Sequence, residues 1–264
     1  MNTLATSLSA KSSDFMGSLQ NFFSTLAKNT RSLVIVLVVL AIVGTVIGFI
    51  LNKKENQSEE ARNALFIAQQ SVNAQLKAIG DKEQMNTVAK EVKAEKAGAK
   101  VPPAKNIDFD ALTYQKLDVD SNFGEAISKL TAVSEKYNGT RPAFEARLYL
   151  GNLYYNHGES SKSLNWYVKA SESANGSMEK AFAYSALGYA QENAGKNQDA
   201  LDSFDKALNQ GEGMIKGDVL LAVARNQTKL GKADQAKTTF DRIIKELPNT
   251  EFSKTAENLK AQTK

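Results

Sequence analysis

The chain has 264 residues, 42% hydrophobic and 23% charged, enough apolar material to bury a core and unlike a disordered sequence. It contains no cysteine, which excludes disulfides, thiolate metal sites and cysteine nucleophiles together. Its 33 basic and 29 acidic residues are interleaved without a basic stripe that could follow a phosphate backbone, so nucleic acid is not an expected partner.

Residues 1–31 form a tail in which Phe15, Met16, Leu19, Phe22, Phe23 and Leu26 recur at helical spacing. Such a stripe suits either a membrane surface or a docking partner, and the sequence leaves both open. Leu33 to Leu51 then runs 19 residues without a charge, and 15 of them are Leu, Ile, Val or Phe. A helix of that length covers about 28 Å, close to the hydrocarbon thickness of a bilayer. The run is too long for a signal peptide and lacks a small-residue cleavage site, so a retained transmembrane helix is expected over 32–52. Lys11, Lys28 and Arg31 before it balance Lys53, Lys54 and Arg62 after it, leaving orientation undecided by charge. A short tail ahead of a lone span usually stays in the cytoplasm, which would put the C-terminal part outside, in the periplasm of a bacterial inner membrane. Gly44 and Gly48 make a G-x-x-x-G that would let two spans pair as a homodimer, although glycine is also simply common in such helices.

Residues 53–106 are polar, with apolar marks at Leu65, Ile67, Ala68, Val72, Leu76 and Ile79. They suggest a helical stalk that breaks at Gly80-Asp81, followed by a flexible linker containing Gly98 and Pro102-Pro103.

From residue 107 to 264 the sequence repeats itself. Leu150-Gly151, Leu187-Gly188 and Val223-Ala224 recur at spacings of 37 and 36 residues. At fixed offsets behind them stand Ser163, Tyr167 and Ala170, then Ala200, Phe204 and Ala207, then Ala236, Phe240 and Ile243. A weaker copy supplies Ala126, Leu130 and Val133 as a second helix. Each unit predicts two antiparallel helices, neither able to bury its apolar stripe alone. Small residues permit close approach and an aromatic ring fills the gap to the next unit. Turns are expected at His157-Gly158-Glu159, Ala194-Gly195-Lys196 and Leu230-Gly231-Lys232, with unit junctions at Asn138-Gly139 and Asn175-Gly176. Phe252 to Leu259 suggests a terminal helix covering the last pair.

On these residues the region from Asp108 to Lys264 resembles the tetratricopeptide repeat family. It departs from that pattern in its longer period, and the large aromatic before L-G appears only as Tyr184, with Arg147 and Leu220 in the other copies. The resemblance implies an α-solenoid of about three to four helix pairs that binds proteins or peptides, which with the transmembrane helix read from the apolar run makes an all-α chain. The layout of tail, span, polar helix and repeats also resembles the YfgM-like ancillary subunits of the bacterial Sec translocon. That likeness implies a scaffold in protein export, with translocon subunits and periplasmic chaperones as partners. A structural coordinator of envelope or division machinery, with the same anchor and repeats, is the alternative.

No enzyme, cofactor or metal site is expected. His157 is the only histidine and is expected on a surface turn, and Trp166 is expected to pack in a second helix or to anchor a partner. Asp118 to Glu125 invites a calcium-loop comparison but has Phe123 where glycine is needed and Lys129 where glutamate is needed. A turn with Asp120 or Ser121 capping a helix that starts near Phe123 fits better. The concave face implied by the resemblance would be built from first helices. In the L-G register it carries Leu148, Asn152, Tyr155 and Asn156, then Ser185, Tyr189, Glu192 and Asn193, then Leu221, Arg225, Thr228 and Lys229. The partner-binding candidates are Asn152, Tyr155, Asn156, Tyr189, Glu192, Asn193, Arg225 and Thr228; the competing account is an ordinary solvated helix side. Relatives that grip a terminal carboxylate carry lysine where this chain has Leu148, Ser185 and Leu221, so a carboxylate clamp is not expected.

Overall fold

The computed structural model describes residues 17, 30–96, 116–210 and 215–263; the side chains of 30–37, 39, 47, 50–52, 54, 91–92 and 94–96 fall outside that description. The stripe expected in the tail and the linker expected up to residue 106 also lie outside the described residues. Among the described residues there are nine helices and no strand: α1 (Thr30–Lys96), α2 (Val119–Lys136), α3 (Arg141–Asn156), α4 (Ser160–Ser173), α5 (Ser177–Asn193), α6 (Asn197–Gln210), α7 (Lys216–Lys229), α8 (Ala233–Glu246) and α9 (Glu251–Gln262). The chain divides into two compact units, 1–57 and 58–264.

In the first unit, α1 carries Val38, Leu40, Ile42, Val43, Val46 and Phe49 exposed. The transmembrane helix expected over 32–52 falls partly on side chains outside the description, and among the described residues no helix is long and apolar enough to cross a membrane.

The second unit is a stack of helix pairs in which each helix packs on the next in sequence from α2 to α9. Three inner turns take the expected form. Gly158, Gly195 and Gly231 adopt φ of 83°, 74° and 72°, a left-handed conformation that glycine accepts without a Cβ clash. Each turn closes with the same two backbone bonds. Glu159 N–H donates to Tyr154 C=O and Gly158 N–H to Tyr155 C=O, with equivalents at Lys196, Gly195, Lys232 and Gly231. This satisfies carbonyls that the helix end would otherwise leave unpaired.

Within a pair, a ring lies where a side chain would otherwise stand. A Cβ on Gly151 would sit 2.5 Å from the Tyr167 ring, and one on Gly188 would sit 2.6 Å from the Phe204 ring. The same rings reach the following unit, where Tyr167 clusters with Leu187 and Ala190, and Phe204 with Val219, Ala222 and Val223. Ala126, Ser163, Ala200 and Ala236 are fully buried at the matching second-helix position, and Leu130 takes the ring's place in α2. Phe252 of α9 covers Gly217, whose Cβ would meet its ring at 2.4 Å.

Four expectations change. The break at Gly80-Asp81 is absent, and α1 runs through it to Lys96. One glycine costs about 1 kcal/mol in a helix, which the Ala, Lys, Glu and Gln around it offset. The same helix is more than a stalk. Ala61, Leu65, Ala68 and Val72 join Val119, Phe123, Ala126, Leu130 and Val133 in one core cluster, so this part of α1 is the first helix of the weak copy. The helix after the linker begins at Val119 and kinks at Phe123, whose φ of −123° and ψ of 20° are not helical, so the start expected near Phe123 marks the kink; Asp118 is the cap, its carboxylate accepting from Ser121 N–H at 3.1 Å. Asp120 instead accepts from the Tyr154 hydroxyl and the Lys162 ammonium. His157 is buried, 2% exposed, and stacks on Phe123 with ring centroids 5.2 Å apart. Its register equivalents are Ala194 and Leu230, and Leu230 likewise turns inward against its neighbours.

Candidate functional site

The first helices α3, α5 and α7 carry the candidate stripe because residues spaced by three and four along a helix share one side. A 37- or 36-residue offset brings Asn152, Tyr189 and Arg225 into equivalent places, and likewise Tyr155, Glu192 and Thr228. Asn152, Asn193, Arg225 and Thr228 are exposed, while Tyr155, Asn156, Tyr189 and Glu192 are half-buried. Ser185, weighed for the same face, is buried instead.

Glu192 is the centre of this stripe. Its carboxylate accepts from Arg225 Nε at 2.6 Å and Nη2 at 2.7 Å, and from Lys229 Nζ at 2.8 Å. The fork of Arg225 meets both oxygens, the strongest geometry available to such a pair. Burial pushes the Glu192 carboxyl up, but hydrogen bonds from Arg225 and Lys229 outweigh it and hold the group down at about 2. Arg225 is raised in turn by its bond to Glu192. The three charges tie α5 to α7 and leave one net positive charge at the surface.

Two tyrosines flank this group. Tyr189 meets Phe204 edge-on with centroids 5.1 Å apart, and Tyr155 meets Tyr167 edge-on at 6.4 Å. Burial raises both phenols, Tyr189 to about 12, so both stay neutral donors near pH 7. Asn152 is engaged from below, its Oδ1 accepting the Tyr167 hydroxyl at 2.7 Å, and Thr228 donates to the Ala224 carbonyl. The structure therefore brings together Tyr155, Tyr189, Glu192 and Arg225 around one ion pair. Asn156, Asn193 and Thr228 lie on the stripe without joining that group. The arrangement offers flat, polar-tipped rings and a held cationic fork, suited to a peptide backbone or an acidic side chain.

Lys229 belongs to the group as well, and its place was visible in the register. Arg147 was not anticipated as a polar centre. It is 9% exposed, and its Nη2 donates to the Ser134 carbonyl at 2.6 Å and to Asn138 Oδ1 at 2.7 Å. Its only signal in the sequence is a charge where the other copies have Tyr184 and Leu220. Trp166 is half-buried, packed against the first core cluster with Lys169 Nζ 4.3 Å from its ring centroid. Among the described residues no group of three or more His, Cys, Asp or Glu is placed to hold a metal.

Residues 218–250 match the family model of the tetratricopeptide repeat. The match covers nearly all of α7 and α8 and the turn that follows, including Arg225, Thr228 and Lys229. No curated protein matches the sequence. The repeat points to a scaffold for protein–protein interaction, since tetratricopeptide repeats generally bind proteins or peptides.

Proposed function

We propose that the chain is a membrane-anchored scaffold whose first-helix face engages partner proteins, working at the bacterial inner membrane in protein export or the periplasmic chaperone network. The observation that carries the binding half is the group of Tyr155, Tyr189 and Arg225 around Glu192, shared across three consecutive first helices. Anchoring is supported by the 19-residue uncharged run of Leu33–Leu51 and by exposed Val38, Leu40, Ile42, Val43, Val46 and Phe49 on α1. Apolar side chains bared along a helix are costly in water and favourable in lipid. The layout's similarity to YfgM-like translocon subunits supports the setting. Tethering confines a weak binder to the membrane and raises its effective concentration, so modest affinity suffices. Binding without a reaction fits a sequence with one histidine and no cysteine.

Cross-linking in cells followed by purification from detergent extract tests the reading. Translocon subunits or periplasmic chaperones are expected with the wild type and reduced with Tyr155→Ala/Tyr189→Ala; cytosolic proteins alone would sink it. Protease added to spheroplasts is expected to cut the repeat region, and full protection would reverse the placement outside the membrane.

A further inference from the structure

The place before L-G is filled differently in each unit. Leu220 is 1% exposed and Tyr184 packs its ring beneath Lys206, so both complete an apolar contact. Arg147 stands at that place between the first two units and is long and thin where the others are broad. One end of its guanidinium is fixed, Nη2 being held by Ser134 and Asn138. Nη1 is buried and meets no acceptor among the described residues. A buried donor left unmet costs about 1–3 kcal/mol, more when charged, so an acceptor arriving from outside would be favoured there. Burial alone also lowers the guanidinium's proton affinity, the mark of a charge without a counter-ion.

Beside Arg147 lies a cavity of about 520 Å³, lined by both partners of Nη2 and by Trp166, Lys169, Glu135 and Glu172. That size lies within the roughly 300–1,000 Å³ of ligand sites and exceeds a lone carboxylate, leaving room for a residue or two of peptide. Two cations, Arg147 and Lys169, balance two carboxylates, Glu135 and Glu172. One further negative charge is tolerable against that balance, whereas a phosphate dianion would face both glutamates with two. The indole of Trp166 adds a flat wall for the peptide's apolar part.

We infer that this cavity is a second binding site, on the side of the second helices α2 and α4, which takes a carboxylate-bearing peptide segment with the carboxylate on Arg147 Nη1. It shares only α3, through Arg147, with the group around Glu192, its other walls coming from α2, α4 and the turns after them, and it goes beyond the function proposed above.

Trp166 is the single tryptophan, so its emission reports on this cavity alone. The full chain in detergent micelles is titrated with acetyl-trialanine bearing a free C-terminal carboxylate, with its C-terminal amide, and with acetyl-Ala-Glu-Ala amide. A saturable change is expected with an acid-bearing peptide and none with the trialanine amide. Response to the free terminus alone assigns the ligand as a chain end; response to the glutamate peptide assigns an internal acidic residue. Arg147→Tyr, which copies Tyr184, should fold by circular dichroism and weaken binding about tenfold or more, the loss of one charge-assisted contact. Glu172→Gln is exposed and should tighten binding by roughly 1.5- to 5-fold as a surface charge is removed. No saturable response in the wild type, equal response to the amide, or Glu172→Gln without effect would each overturn the site. Tighter binding of inorganic phosphate than of either acid peptide would overturn its ligand.

Discussion

The pairs α3/α4, α5/α6 and α7/α8 turn back through three residues centred on a left-handed glycine, whereas α1 and α2 are separated by residues 97–118. Both kinds of pair bury a small residue and a large one at the same second-helix positions: Ala126 with Leu130 in the first, Ala200 with Phe204 in a later one. Two of the later pairs set a ring over a glycine, while the first joins Ala61, Leu65, Ala68 and Val72 of α1 to α2 and α3 in one continuous cluster. The packing requirement thus belongs to the interface between two helices. The connection only fixes register, and where it is long, register is fixed by the core itself.

The comparison breaks most readily at the large side chains. Phe204→Ala should cost about 3–5 kcal/mol and Leu65→Ala about 2–5 kcal/mol if α1 is as much a part of the stack as α6. Amide exchange resolved by segment checks this: Leu65→Ala should speed exchange in residues 61–79 and in α2 together. Unchanged exchange would return α1 to a solvated stalk. Next in size is Gly188→Val, which drives a side chain into the Phe204 ring and should cost about 1–3 kcal/mol by overpacking. Phe204→Leu in the same chain should recover part of that loss in a double-mutant cycle, since Leu130 already serves at this place in α2. The smallest effect sharpens the contrast between core and face. Glu192 is held at about 2 against an ordinary value of 4.5, so its contribution is complete above pH 4.5 and is lost as pH falls toward 2. Because Arg225 and Lys229 are about half exposed, screening leaves about 1–2 kcal/mol of it. Acid titration of unfolding should show that loss in the wild type and a flatter curve in Glu192→Gln.

What the sequence displays follows from how local each constraint is. The alternation of Gly151, Gly188 and Ala224 with Tyr167, Phe204 and Phe240 is legible because small-against-large packing must recur in every unit. The turn glycines are legible because φ above zero admits few other residues. The role of Ala61, Leu65, Ala68 and Val72 is not, because the residues between α1 and α2 destroy the period that marks the other first helices. His157 looks like a surface residue until Phe123, 34 positions earlier, is brought beneath it. The bond from Arg225 to Glu192 spans 33 residues and needs both the register and the side-chain directions. Arg147 was visible only as a misfit, and a misfit does not say where its charge will go.

The closure of Gly217 by Phe252 has a consequence for how copies of the chain behave toward each other. A stack of like modules ends in a ledge shaped to receive one more module, and identical molecules could continue it end over end into fibres. Here α9 plugs that ledge with its own ring and turns Glu251, Lys254, Glu257 and Asn258 to the water. The last pair thus meets a ring of its own chain, and a second copy approaching α9 would meet charged and amide side chains instead of an open apolar ledge.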